Sequence, residues 1–281
     1  MSTYTRPAQQ VLRTKGPVSL DLELAAGEAL VSADLPPGTD PVSLVDVEPF
    51  DHDDPEAIAV AEQVRARLVG DQLQIHVPRW GRWRGHPPIR ITVRIPIGSA
   101  VNGTTAAADI AITGELAGLS LRSASGAVNA ELVSGDVGLS SASGDVGVQQ
   151  VRGSARIRTA SGQVVVGAAV GPISASTASG AVRVGEASSD IDVATASGDI
   201  EVRAVGVGRA RLQSASGGIR VGVRAGTQVQ FDVMSGSGFV HSTLAEVTNP
   251  TPGERLLELR IRTASGRVHI DPAQVPIRSA T

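Results

Sequence analysis

The sequence predicts an all-β fold, a β-solenoid of flattened parallel coils about 18 residues long. Three observations lead there. Glycine recurs every nine residues at 126, 135, 144, 153, 162, 171 and 180, Ser189 takes the next place, and Gly198 resumes the series. Alternate members close an Ala-Ser-Gly tripeptide, whose glycines are Gly126, Gly144, Gly162, Gly180, Gly198, Gly217 and Gly266. Between these corners apolar residues alternate with polar ones at period two, the signature of a strand with one buried face.

The strand after each tripeptide carries Val128, Val146, Val164, Val182, Ile200 or Ile219, and two residues on Ala130, Val148, Val166, Val184, Val202 or Val221. The strand before it carries Leu121, Leu139, Ile157, Ala175, Val193 or Leu212. Asp145, Gln163, Arg183, Glu201, Arg156 and Asp192 fall on the outward parity. A strand this short cannot bury its apolar face alone. Stacking equivalent coils supplies neighbours above and below at roughly 4.8 Å. The crossover rule favours a right-handed coil. Glycine at each corner is expected to supply a positive φ.

Composition fits a thin core. Hydrophobic residues make up 41% of the chain, yet only six residues are aromatic, and none lies between Trp83 and Phe231. Val, Ile, Leu and Ala must then fill the space between facing strands, without the bulk of aromatic rings. With no cysteine, disulfides, thiolate metal sites and a cysteine nucleophile are excluded. The net charge of −3 gives no global nucleic-acid footprint.

Residues 1–100 depart from the period and are read as a β-rich cap, with strand-like stretches at Val18–Leu24, Gln72–Val77 and Ile89–Ile95. A short helix is expected near 55–68, with Asp54 as N-cap, Pro55 as first helical residue, and Ile58, Ala61, Val64 and Leu68 on one side. Solenoid repeats follow over 101–272. Gly236 and Gly266 are 30 apart, read as 18 plus 12, so a loop insertion near 243–255 is expected inside one coil, with Leu256–Ile270 as the final coil. Residues 273–281 form a tail.

Chemistry-bearing patterns are sparse. The nine-residue period resembles the calcium-binding nonapeptide, but the residue after the corner glycine is Asp136, Asp145, Gln163, Ala181, Asp199, Gly218 or Arg267. A ligand cage cannot alternate with Ala and Arg. His52, Asp53, Asp54 and Glu56 lack metal-ligand spacing and read as a solvated helix start. Ladders of Ser125, Ser143, Ser161, Ser179, Ser197 and Ser216, and of Ser123, Ser141, Thr159, Thr177, Thr195 and Ser214, are either a glycan- or water-binding array or hydroxyls bonding the turn backbone. Trp80, Arg82, Trp83 and Arg84 combine indoles with guanidinium groups and are the candidate partner-binding residues, or else a turn covering the cap. No catalytic, cofactor or metal residue is assigned.

The repeated Thr/Ser-Ala-Ser-Gly-x-Val-x-Val unit resembles the bacterial "putative adhesin" family of β-strand-repeat proteins, domain of unknown function 4097. Arg158–Gly162, Arg94–Val101 and Leu259–Gly266 carry the likeness. It implies a β-solenoid without catalytic residues. The reading is a non-enzymatic module that presents a surface to a protein or envelope component. The alternative is a scaffold that self-associates through its solenoid ends, and a β-helix carbohydrate-active enzyme ranks third. The first residues show no apolar signal segment, so a cytoplasmic location is expected, with envelope association as the exception. No membrane-spanning stretch is visible.

Overall fold

A computed structural model describes residues 9–36, 42–77, 87–244 and 255–273. The chain divides into two compact units, Met1–Val148 and Gln149–Thr281. Each is built on parallel strands offset by whole coils, with inward Val, Ile and Leu almost wholly buried. The solenoid reading therefore holds.

In the second unit the offset between paired strands is the period itself. Ala155 pairs with Ile173, Ile173 with Ile191, Val164 with Val182, and Val182 with Ile200. One coil then lengthens by a residue, so that Ile191 pairs with Ala210 and Ile200 with Ile219. Ile157, Val164, Val182, Val193, Val202 and Leu212 are fully or almost fully buried. Each such side chain contributes roughly 1.5–3 kcal/mol relative to exposure.

The chain order then departs from the stacking order. The strand Gly208–Ser214 pairs not with Thr227–Ser235, the strand one coil on in sequence, but with Arg255–Thr263, through Gly208↔Leu257 and Ser214↔Thr263. The other edge of Arg255–Thr263 pairs with Thr227–Ser235, through Val229↔Leu257 and Phe231↔Leu259. The companion strand Val268–Pro272 likewise lies between Ile219–Val223 and Val240–Ser242. The C-terminal coil is thus inserted one place in from the end. This corrects the expectation that Leu256–Ile270 adds the final coil. The corner glycine of the outer coil is Gly238 rather than Gly236, because Gly238 stacks on Gly266. The expected insertion near 243–255 falls mostly outside the described residues; the strands that flank it, Val240–Ser242 and Arg255–Thr263, belong to two different coils.

The first unit repeats this device. The strand Ser19–Leu35 pairs on one side with Ala100–Leu116, through Leu20↔Val101 and Val31↔Ile112. On its other side lie Gln72–His76 and Ile89–Pro96. Parallel coils therefore reach back through residues expected to break the period. Ser99, wholly buried, stitches the insertion: it accepts the Val18 N–H at 2.9 Å and donates to the Pro96 carbonyl. Antiparallel strands finish this end. Val42–Pro49 pairs with Ile89–Pro96, Gln10–Arg13 with Val42–Pro49, and Arg65–Val69 with Gln72–His76.

The one helix, among the described residues, is Pro55–Gln63. Asp54 caps it by accepting the Glu56 N–H at 2.9 Å, and Pro55 opens it. It ends earlier than the expected span near 55–68. Val64 turns extended, and Leu68 belongs to a hairpin strand closed by Gly70-Asp71, with Gly70 at φ +67°. Ala57, Val60 and Ala61 form its buried face, where Ile58 and Leu68 were expected to contribute.

Candidate functional site: the corner ladder and a charged groove

The corner glycines are required, but not for the expected reason. None of Gly126, Gly144, Gly162, Gly180, Gly198, Gly217 and Gly266 has positive φ; such glycines include Gly70 and Gly98 at turns, Gly114, and Gly27, which shares the corner column in an early coil of the first unit. The constraint is stacking. A Cβ on Gly144 would stand 2.1 Å from the Gly126 carbonyl oxygen, and one on Gly198 1.8 Å from that of Gly180. Gly217 faces Gly198, and Gly266 faces Gly217, at 1.9 Å in the same way. Coils about 4.8 Å apart leave no room there for any side chain.

The hydroxyl three residues before each glycine completes the turn. Gly180 donates its N–H to Thr177 Oγ1 at 3.0 Å, Gly198 to Thr195 at 2.9 Å, and Gly217 to Ser214 at 2.8 Å. Gly144 and Gly162 do the same with Ser141 and Thr159. These hydroxyls are buried. Their ladder is a row of turn caps, which satisfies donors the corner would otherwise orphan. The exposed serines bond backward to the neighbouring coil: Ser125 donates to the Ala106 carbonyl and Ser265 to that of Ala215. Both ladders therefore spend at least part of their hydrogen bonding on the backbone.

The outward face of the second unit holds a groove of about 800 Å³. Its floor includes Gly167, Gly185 and Gly222. A Cβ on these would meet the carbonyl oxygens of Gln149, Gly167 and Arg203 at 2.4, 2.2 and 1.9 Å. A groove floored by backbone results. Glu201 and Arg220, both on the groove, stand in cross-strand register, and Arg183 stands on the other side of Glu201. Glu201 lies 3.7 Å from Arg183 and 3.5 Å from Arg203, and Glu186 lies 3.1 Å from Arg224. In the next coil His269 sits beside Arg220 and meets His241 edge-on, with ring centroids 6.0 Å apart. Asp271, also on the groove, accepts the Thr243 hydroxyl. Sequence reasoning passed over this face. The glycine column at 167, 185 and 222 was the available signal.

The opposite ladder of strands is laced with ion pairs. Arg209 meets Glu258 at 2.9 Å, and Arg260 meets Asp232 and Glu258 at 3.0 Å each. The hydrogen bond from Arg209 holds the Glu258 carboxyl below the usual carboxylate range. The other sequence candidates separate. Trp80, Arg82, Trp83 and Arg84 lie outside the described residues. Asp54 is committed to the helix cap, and Asp51 accepts the Asp53 N–H. Among the described residues, no three of His, Asp and Glu converge as a metal-binding set. No helix among them is long and apolar enough to cross a membrane.

Comparison with known proteins gives one family match. The model described as Toastrack DUF4097 matches residues 70–273, well over half of the chain. No curated protein matches. Solved structures similar to the chain include a "putative adhesin" from Bacteroides fragilis, at 13% identity and TM-score 0.41, covering 94% of this chain and 96% of that one. A "putative adhesin" from Parabacteroides merdae has 10% identity and TM-score 0.35, covering 94% and 95%. A "putative lipid binding protein" from Parabacteroides distasonis has 12% identity and TM-score 0.37, covering 96% and 97%.

Proposed function

The chain belongs to the Toastrack family (DUF4097), and from that premise we propose that it is a non-enzymatic, adhesin-like solenoid that presents its grooved face to a macromolecule at the cell envelope. One observation carries this reading. The groove displays both signs of charge on side chains rooted in paired strands, beside bare backbone at Gly167, Gly185 and Gly222. Such a surface offers many weak polar contacts in fixed register, which suits an extended polar partner. Its acids also stand beside arginines: Glu186 beside Arg224, and Glu201 between Arg183 and Arg203. That arrangement suits recognition better than the two carboxylates of a glycosidase, where one acid must be held protonated.

The test is retention by the envelope fraction of the producing cell. The full chain should cosediment with it, and Arg203→Ser with Arg220→Ser should weaken that retention without altering the circular-dichroism spectrum. Polysaccharides in the same fraction should come through unshortened. Equal retention of the variant, or release of oligosaccharide products, would contradict the proposal.

A further inference from the structure

The insertion of the C-terminal coil leaves Thr227–Ser235 and Val240–Ser242 as the outermost strands of the second unit. Among the described residues, Thr227–Ser235 pairs along one edge only, with Arg255–Thr263. Its inward residues occupy core columns with nothing beyond them. Leu259 is 0% exposed, whereas Phe231, in register beside it, is 47% exposed. Val240 is 48% exposed and Phe239 83%. Two of the six aromatic residues of the chain stand on this coil.

Natural edge strands are usually blunted by Lys, Pro, bulges or charges pointing inward. Thr227–Ser235 has none of the first two, and its register with Arg255–Thr263 runs without a bulge. Its one formal charge, Asp232, is held by Arg260 at 3.0 Å. A strand at the end of an apolar core without these devices calls for another strand.

We propose that the missing strand is the same strand of a second copy, paired antiparallel about a twofold axis at Phe231. The sequence Thr-Gln-Val-Gln-Phe-Asp-Val-Met-Ser is self-complementary around that residue. Turning it about Phe231 sets Val229 opposite Val233 of the second copy, and Thr227 opposite Ser235. The open core of one copy thereby closes on that of the other. On the outward side Gln230 falls opposite Asp232, an amide donor facing a carboxylate, and Gln228 opposite Met234. No like charges meet directly. Cross-strand pairs of this kind are the stabilising unit of a sheet, and an isologous contact closes at two copies instead of growing into a filament. The inference does not depend on the partner of the groove.

The absence of cysteine makes the test clean. Light scattering of the full chain should show a dimer, and Phe231→Arg should give a folded monomer. Under mild oxidation Phe231→Cys should form a covalent dimer, because the two sulfurs would face each other across the axis. Met234→Cys should not, since antiparallel pairing sets the two copies of residue 234 roughly 20 Å apart at strand spacing. A monomer at all concentrations, an open-ended series of larger assemblies, or cross-linking of Met234→Cys as readily as Phe231→Cys would overturn the proposal.

Discussion

A Cβ on Gly180 would stand 1.9 Å from the carbonyl oxygen of Gly162 in the adjacent coil. The corner is therefore closed by the neighbouring backbone, not by an unusual dihedral. The two causes predict different mutational patterns. Gly180→Ala and Gly180→Asn should both be damaging, by at least the roughly 1–3 kcal/mol typical of overpacking. At Gly70, with φ +67° and open space around it, Gly70→Asn should be tolerated better than Gly70→Val. Urea denaturation of the four variants measures this. Tolerance of Asn at Gly180 would restore the dihedral explanation.

The hydroxyl caps can be isolated in the same way. Thr195→Val keeps the shape of the side chain but leaves the buried Gly198 N–H without its 2.9 Å acceptor. A loss of about 1–3 kcal/mol is expected, and Thr195→Ser should retain most of the stability. Thermal denaturation of the pair decides it. Equal loss in both would mean that the methyl group, not the hydroxyl, matters.

The inside-outside register has its own contrast. Val164 is fully buried and Val165 is 37% exposed. Val164→Asp places an unpaired carboxylate in the core and should unfold the chain or nearly so. Val165→Thr should cost under about 0.5 kcal/mol, as surface changes usually do. Chemical denaturation that ranked the two the other way would shift every inward residue to the solvent side.

The pair Arg209–Glu258 ties Gly208–Ser214 to the inserted strand Arg255–Thr263. The hydrogen bond from Arg209 lowers the Glu258 pKa in the folded state. A depressed folded pKa means the pair contributes fully above the unfolded value and is lost as pH falls through the folded one. Glu258→Gln should accordingly reduce the loss of melting temperature between neutral and acid solution. Its effect should be greatest at neutral pH and vanish in acid. A constant difference across the range would show that ionisation of Glu258 is irrelevant.

Much of this fold was legible in the sequence because one spacing repeats. Inward Val164, Val182 and Ile200, the corner glycines and the Thr177 and Thr195 hydroxyls each follow from position in the period. The stacking order was not legible, because neighbouring coils present nearly interchangeable apolar residues. Leu259 packs as well beneath Ala210 as beneath Phe231. The connection after Ser242 and the aromatic residues Phe231 and Phe239 were the hints. In the first unit Ala25-Ala26-Gly27 stands where later coils have Ala-Ser-Gly, and Gly27 pairs with Ala108. A search for serine hid that coil. The groove was missed because glycine in a strand interior reads as weakness until the neighbouring carbonyl is located.

The inserted C-terminal coil sets the order in which the strands of the second unit stack, and a pair of double-cysteine variants tests it most directly. Gln213, Arg262 and Met234 share one column, with Arg262 between the other two. Adjacent strands lie roughly 4.8 Å apart, within disulfide reach, and alternate ones roughly twice that. Gln213→Cys with Arg262→Cys should oxidise to an intramolecular disulfide, detected by its faster migration in a non-reducing gel. Gln213→Cys with Met234→Cys should stay reduced. If coils stacked in chain order, the second pair would close as readily as the first would in this arrangement, and the first would stay open.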